Sequence, residues 1–118
     1  MPFTVQLPPS RQIFVYCYTN STTQQRLTLS RRGVADTVFT GSGQDNMAMS
    51  PASVNFVTPA NSPSATVKIE AMVNGAWQES TEDGAKVEIT NVGLALVSST
   101  EVVDAHWNDA VAFFMWYP

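Results

Sequence analysis

Alternation of apolar and polar side chains is the feature that most restricts the folds open to this 118-residue chain. Across residues 66–73, every second residue from Val67 to Val73 is apolar, and Lys68 and Glu70 lie between them. Residues 26–30 and 86–90 repeat this period of two. Because successive side chains of a strand point to opposite faces, the pattern predicts strands that bury one face. No window shows the helical period, so an all-β fold is predicted.

Turn-forming residues separate the predicted strands. They fall at Pro8-Pro9-Ser10, Gly41-Ser42-Gly43, residues 59–63, Asn74-Gly75 and Asp83-Gly84. Asn74-Gly75 predicts a tight hairpin, since both residues tolerate positive φ. Further strands are predicted at residues 3–7, 12–19, 36–40, 52–58, 92–98 and 110–117. About eight or nine short strands at this spacing predict one domain over residues 1–118, an antiparallel β-sandwich with Greek-key connections.

The composition excludes several classes of partner. Only 14% of the residues are charged, and a net charge of −4 with six Lys and Arg leaves no basic stripe to neutralise nucleic acid. No apolar run is long enough to span a membrane, so no membrane insertion is expected. Residues 1–5 lack the basic and apolar regions of a signal peptide. We therefore expect a cytoplasmic protein, or one released without a signal peptide.

Two predicted strands, residues 12–19 and 110–117, are apolar or aromatic on both faces. A strand of a two-layer sandwich usually exposes one polar face, so the second apolar face needs a cover. In a chain of this size we expect another subunit to provide it, which predicts a homodimer or homotetramer. The alternative is a strand at the centre of a thick core. Cys17, the only cysteine, lies in the first of these strands and is expected to be a buried hydrophobe.

Short oxygen-bearing side chains cluster just before the last predicted strand. They belong to Asp104, His106, Asn108 and Asp109, and His106 is the only histidine. Carboxylate and amide oxygens suit a hard cation or the hydroxyls of a sugar. The strand that follows would give this loop a rigid support.

Catalysis is not predicted. His106 could serve a hydrolytic triad, but no serine stands in a nucleophile-elbow context and Cys17 is expected to be buried. Asp104 and Asp109 share one loop, whereas the two carboxylates of a glycosidase flank the scissile bond from separate elements. Gly41-Ser42-Gly43 lacks the lysine and the following helix of a phosphate-binding loop.

The spacing of Asp104, His106 and Asn108 could direct alternate side chains at one ion. The loop has no glycine at its bend, however, and calcium disfavours imidazole. One histidine without a cysteine cluster cannot make a structural zinc site. Taken alone, the loop leaves a polar hydrogen-bonded turn as the alternative to a metal site.

The order of these motifs resembles a known family. Val73-Asn74-Gly75, residues 85–91, 94–99 and 104–111, and Trp116 resemble segments of the small calcium-dependent fucose- and mannose-binding lectins of bacteria. The segment from Asn108 to Val111 is the most specific part, together with the tryptophan. Residues 18–22 match more loosely, where the family has an asparagine followed by its sugar-specificity loop. The resemblance covers most of the chain and implies a β-sandwich that forms dimers or tetramers.

The resemblance also implies where metal ligands would lie. The matching positions are Asn20, Asp104, Asn108 and Asp109. Thr100 falls on an acidic ligand, unless a one-residue slip lets Glu101 serve, and His106 falls on the aspartate that bridges the paired calcium ions. The C-terminal glycine carboxylate has no match at Pro118. Because charge count largely sets calcium affinity, we expect no paired calcium site, and a single calcium ion is the alternative.

Without calcium, sugar hydroxyls would meet polar side chains directly, and an aromatic face would pack on the ring. Trp107 is the first candidate for that packing and Trp77 the second. Trp107 could equally anchor a core or an interface, and Trp116 is expected in the core. The predicted sugar-binding residues are Asn20, Ser21, Thr22, Asp104, His106, Trp107, Asn108 and Asp109.

The sequence therefore predicts a lectin without catalytic activity. The resemblance implies fucosylated glycans as the first candidate ligands, and mannose-like or galactose-type sugars as the next candidates. The chain resembles the cytoplasmic defence lectins of fungal fruiting bodies about as well as it resembles bacterial lectins. The alternative is a structural or interaction protein that keeps the sandwich but has lost the sugar site.

Overall fold

Antiparallel strands form nearly the whole of the described chain. The computed structural model describes residues 2–61, 63–89, 92–100 and 109–117. Its strands are β1 (Phe3–Gln6), β2 (Gln12–Arg31), β3 (Val34–Val57), β4 (Ser64–Val73), β5 (Ala76–Glu79), β6 (Thr81–Ile89), β7 (Val92–Thr100) and β8 (Ala110–Trp116). No helix occurs in these ranges, and so none that could cross a membrane. The predicted all-β class is confirmed.

The two longest strands differ from the prediction. β2 and β3 span 20 and 24 residues, where the sequence predicts separate short strands. Residues 20–25 and Gly41-Ser42-Gly43 are irregularities within these strands, because the pairing of β2 with β3 resumes after each shift in register. The hairpin predicted at Asn74-Gly75 is confirmed, because β5 follows this turn and pairs with β4, although its 4 residues are too few to show a period of their own.

β2 contributes to both layers of the sandwich. Residues 13–19 pair with β8, and residues 25–30 pair with β4. The guanidinium carbon of Arg31 lies 3.8 Å from the centre of the Phe56 ring, and Phe56 pairs with Ile13. The two ends of β2 therefore meet at one end of the molecule. The bend between Thr19 and Gln25 lies at the other end.

The strands form one sheet that wraps into two layers. Its order is β1-β4-β2-β8-β7-β6, with β3 also beside β2 and β5 also beside β4. The pairing of β1 with β4 and of β2 with β8 requires the long connections of a Greek key. The edge strands β1 and β6 come close, because a β-carbon on Gly84 would lie 2.6 Å from Phe3 Cε1. The sheet is therefore nearly closed.

The predicted alternation fills the core between the layers. In β2, Ile13, Val15 and Cys17 are buried before the bend, and Leu27 and Leu29 are buried after it. They pack in one cluster with Val67, Ile69, Ala112, Phe114 and Trp116. Full burial of a large apolar side chain contributes about 1.5–3 kcal/mol. Cys17 and Trp116 are thus confirmed as core residues, and burial raises the pKa of the Cys17 thiol, which keeps it protonated.

The outer face of the β2–β8 layer is apolar as well. It is formed by Phe14, Tyr16 and Tyr18 of β2 together with Phe113 and Met115 of β8, and we call this set the outer aromatic face. The rings of Tyr18 and Phe113 pack edge to face, with centroids 5.7 Å apart. All five side chains are half-buried in the single chain. The prediction that both strands are apolar on both faces is confirmed.

Candidate functional site

The structure describes four of the predicted sugar-binding residues. Asn20, Ser21 and Thr22 form the start of the β2 bend, and Asp109 directly precedes β8. The backbone N–H of Asn20 donates to the Asp109 carbonyl at 3.0 Å, next to the paired residues Thr19 and Ala110. The fold therefore brings the bend and the end of the predicted loop together. The other four residues, Asp104, His106, Trp107 and Asn108, lie outside the described residues.

The three residues of the bend differ in what they can contact. Ser21 is buried, and its Oγ accepts a hydrogen bond from the Thr23 N–H at 3.1 Å. Thr22 is exposed, and Asn20 is half-buried. Ser21 therefore holds the shape of the bend, while Asn20 and Thr22 present polar groups toward solvent. Within the predicted set, Ser21 is placed to position the bend, whereas Asn20 and Thr22 are placed where a ligand could reach them.

A tight hairpin inside β3 faces the bend, and sequence reasoning missed it. Asp45 and Asn46 have φ of 64° and 55°, which is the geometry of a two-residue turn with positive φ at both central positions. The turn brings Gly41 beside Met49, since a β-carbon on this glycine would lie 3.3 Å from the Met49 Cα. The Asp45-Asn46 pair was a usable signal, because both residue types tolerate positive φ.

Three hydrogen bonds join this hairpin to the bend. Asn20 Nδ2 donates to Asn46 Oδ1 at 2.7 Å, and the Asn46 N–H donates to Asn20 Oδ1 at 2.8 Å. Thr19 Oγ1 donates to the Gly43 carbonyl at 2.9 Å. The amide of Asn20 is thereby fixed in orientation. Asp45, at the tip of the hairpin, is exposed.

Hydrogen bonds to Ser99 also fix the backbone at the start of β8. The Asp109 N–H donates to the Ser99 carbonyl at 3.1 Å. Ser99 Oγ, in turn, accepts from the Ala110 N–H and donates to the Ala110 carbonyl, both at 3.2 Å. Because Ser99 and Ala110 are fully buried, these bonds form in a low dielectric and order the backbone on which the site is built.

The charge of the described site is low. Asp109 is 1% exposed and Thr100 is 8% exposed. Thr100 stands at the position where the resemblance implies an acidic metal ligand, and its hydroxyl brings no charge. The described residues contain no group of three side chains suited to hold a metal ion. The described part of the site therefore offers amides, hydroxyls and the one carboxylate of Asp109, and the other predicted ligand positions, Asp104, His106 and Asn108, lie outside the described residues.

Trp77, the second candidate for sugar packing, and Trp116, expected in the core, both have other surroundings. Trp116 is 2% exposed and belongs to the core. Trp77 has one face covered by the Arg26 guanidinium, 4.3 Å from the ring centroid, and Arg26 is ion-paired with Glu70 at 2.9 Å. Neither ring is an open platform at the bend, so the aromatic candidate from the sequence remains Trp107.

Known structures share this fold. A lectin of Chromobacterium violaceum, solved in complex with α-methyl-fucoside, matches with a TM-score of 0.81 and 21% identity over 98% of this chain and 96% of that one. A high-affinity mannose-binding lectin of Ralstonia solanacearum gives a TM-score of 0.76 and 22% identity, with the same 98% and 96% covered. The C-terminal domain of a Burkholderia cenocepacia lectin gives 0.78 and 20% identity, over 100% and 99%.

The amino-acid sequence of the chain matches one protein family. Among proteins of curated function, none is similar in sequence to this chain. The model of one protein family, described as fucose-binding lectin II (PA-IIL), matches residues 5–118. This match covers nearly the whole chain, including the β2 bend, the β3 hairpin and the start of β8. The chain therefore belongs to the fucose-binding lectin II family.

Proposed function

We propose that this protein is a lectin that binds fucosylated glycans at the junction of the β2 bend, the β3 hairpin and the start of β8. The observation that carries the proposal is the convergence of Asn20, Asn46 and Asp109, which are far apart in sequence, through hydrogen bonds of 2.7–3.0 Å. Oriented amides and backbone groups are the partners that sugar hydroxyls require. The family is named for fucose binding, and the Chromobacterium relative was solved with a fucoside.

The sugar is bound without a paired calcium centre in this proposal. The described positions supply one buried carboxylate, that of Asp109, while Thr100 is neutral. Asp104 would add a second charge from the sequence, and His106 stands where the resemblance implies a bridging aspartate. Hydroxyls of the sugar then meet Asn20, Thr22 and the loop residues directly. Direct hydrogen bonds from few groups limit a single site to about micromolar affinity or weaker.

The lectin acts as a homodimer or homotetramer in this proposal, with the outer aromatic face as the contact between subunits. Phe14 and Met115 lie side by side on that face. Tyr117 extends it, since its ring packs edge to face on Phe14 with centroids 6.3 Å apart and is 52% exposed. A contiguous apolar surface of this kind marks an interaction site. Several sugar sites in one oligomer would raise the avidity for glycans on a surface.

A glycan array with and without a chelator tests the proposed function. We expect fucosylated glycans to bind in both conditions, and glycans without fucose to bind less. An array that is silent in both conditions would favour the rival function, a structural or interaction protein without a sugar site. Strong binding of another sugar class would support a lectin function but reject fucose as its ligand. Lack of catalysis is checked in the same samples, since the fucosylated glycans should remain uncleaved.

A further inference from the structure

A cavity lies at the end of the molecule opposite to the β2 bend. It has a volume of about 230 Å³ and is lined from both layers, by the end of the β2–β3 hairpin and by residues 56–59 and 63–64. Asn20 and Ile13 are separated by one straight segment of β2, or on the order of 20 Å. Since Ile13 pairs with Phe56 of the cavity wall, the cavity is a site separate from the junction at Asn20.

Arg31 forms one wall of this cavity and is held by an aromatic ring. Its guanidinium stacks on the half-buried Phe56 ring, with the guanidinium carbon 3.8 Å from the centroid. Burial lowers the pKa of Arg31, although a guanidinium stays charged at neutral pH. Stacking occupies a face of the guanidinium and leaves its N–H edge free to donate in the plane.

Arg32 brings a second positive charge to the same cavity. It is exposed in the two-residue turn that joins β2 to β3, where Gly33 takes the positive φ of 74°. Within the described ranges, neither Arg31 nor Arg32 takes part in an ion pair, whereas Arg26 and Lys68 both pair with Glu70. Although the net charge of the chain is −4, two adjacent positive charges at one cavity make a local site that favours an anion.

Most of the remaining wall of the cavity is apolar. It is provided by Phe56 and Val57 and by the rings of Pro59 and Pro63, and Thr58 and Ser64 add two hydroxyl-bearing side chains. Val57 is 64% exposed, so this apolar surface is accessible from solvent. A bare phosphate or sulfate ion would use the arginines and leave the apolar walls uncovered. A ligand that contacts both the arginines and the apolar walls must carry an anionic group and an apolar face. The volume of the cavity suits one sugar ring rather than a larger molecule.

We propose that the cavity formed by Arg31, Arg32 and Phe56 binds an acidic monosaccharide unit, a pyranose that carries a carboxylate or a sulfate ester. The anionic group meets the N–H edge of Arg31 and the charge of Arg32, and the apolar face of the ring packs on Phe56 and Pro59. The protein then has two kinds of sugar site, one for neutral fucosides at Asn20 and one for acidic sugars at the opposite end.

Amide chemical shifts of the full chain test this site. Glucuronate and a sulfated galactose are the acidic probes, neutral galactose is the uncharged probe, and inorganic sulfate is the bare anion. We expect both acidic sugars at millimolar concentration to shift the amides of residues 31–34 and 56–58, and added salt to weaken the effect. Neutral galactose should leave these amides unchanged, and inorganic sulfate should bind about tenfold more weakly than the sulfated sugar.

Matched variants assign the shifts to the two arginines. Arg31→Gln and Arg32→Gln should each weaken binding of the acidic sugars by about tenfold. Arg11→Gln is the control, because Arg11 lies at the same end of the molecule outside the cavity and donates to the Tyr117 carbonyl at 3.2 Å. Because Arg32 is exposed in a turn, we expect Arg32→Gln to fold and to give the amide spectrum of the natural fold. This variant therefore tests the site even if Arg31→Gln does not fold.

Three results would overturn the proposal. They are no shift of the cavity amides with either acidic sugar, binding of unchanged affinity in a folded Arg32→Gln variant, and equal binding of inorganic sulfate and the sulfated sugar. Titration with α-methyl fucoside is read separately, at the amides around Asn20. If fucoside does not shift the amides around Asn20, the proposed lectin site is rejected. The acidic-sugar site is tested independently, by the shifts of the cavity amides.

Discussion

Asn20 and Asn46 exchange two hydrogen bonds of 2.7 and 2.8 Å across 26 residues of sequence. One bond uses the Asn46 side chain as acceptor, and the other uses its backbone N–H as donor. The pair therefore joins the bend that divides β2 between the two layers to a hairpin within β3. Asn20 is also tied to Asp109 by its backbone, so three separate segments are fixed at one place. This is the rigid frame on which the proposed sugar site depends.

Replacement of Asn46 by glycine should weaken sugar binding. Glycine keeps the positive φ of the turn but removes the Oδ1 that orients the Asn20 amide. We expect the affinity for α-methyl fucoside to fall by about tenfold, or about 1.4 kcal/mol. Asn55→Ala is the control, because Asn55 accepts a hydrogen bond from Gln12 Nε2 at 3.1 Å at the opposite end of the molecule. Equal affinity of the Asn46 variant and the natural protein in calorimetry would reject this role.

A charge placed on the outer aromatic face should separate the subunits. In Tyr16→Glu, association would bury a carboxylate without a partner, which costs several kcal/mol. We expect light scattering to show an oligomer for the natural protein and a monomer of 12.9 kDa for the variant. Val38→Glu is the matched control, since Val38 is 46% exposed on the other layer. A natural protein that is monomeric at micromolar concentration would contradict the proposed interface.

Stability should fall as the pH rises from about 4.5 to about 7. Burial and the nearby Glu79 carboxylate raise the pKa of Glu82 from 4.5 to about 7, against a 2.7 Å hydrogen bond from the Ile69 N–H that favours the charged form. The folded state thus binds a proton more tightly than the unfolded state. The stabilisation from this group is complete below about pH 4.5 and is lost as the pH rises through 7. Because Glu82 is partly exposed, we expect about 1–2 kcal/mol.

Urea unfolding at a series of pH values measures this effect. Glu82→Gln should flatten the dependence between pH 5 and pH 8. Asp36→Asn, a change at an exposed carboxylate of β3, should leave it as in the natural protein. A slope that persists unchanged in Glu82→Gln would assign the titration to another group.

A methyl group at Gly93 should destabilise the fold. A β-carbon at this position of β7 would overlap the indole of Trp116, which is buried beside it. Overpacking of this kind costs about 1–3 kcal/mol or more, so Gly93→Ala should unfold at a clearly lower urea concentration. Leu94→Ala is the comparison, because Leu94 is 36% exposed and its truncation should cost less than about 1 kcal/mol. Equal midpoints for Gly93→Ala and the natural protein would show that the tryptophan can move aside.

Local pattern predicted the core of the fold but not its long strands. The alternation around Val67 and Ile69 correctly identifies a strand and its buried face. Gly41-Ser42-Gly43 is misread as the end of a strand, because glycine serves both turns and the irregularities that let a strand bend. The Asp45-Asn46 turn was readable in principle, since the propensity for positive φ is a property of the residues themselves.

Contacts between distant segments were beyond sequence reasoning. Asn20 was singled out through the resemblance, but nothing in the chain marks Asn46 as its partner. The Arg31-Arg32 pair carries no local signal of a binding site, and Arg32 does lie exposed in a turn. The stacking of Arg31 on Phe56 depends on how the two ends of β2 return to one another. Such contacts follow from the assembled topology rather than from any local period or spacing.

The most direct test of the central claim is calorimetric titration of α-methyl fucoside into protein treated with chelator, compared with the same protein after addition of calcium. We expect micromolar or weaker binding with affinities that agree within about twofold in the two samples. His106→Ala should weaken binding more than the chelator does. Binding that disappears with chelator and returns with calcium would show that a metal holds the sugar, and it would reject direct recognition of the sugar by side chains.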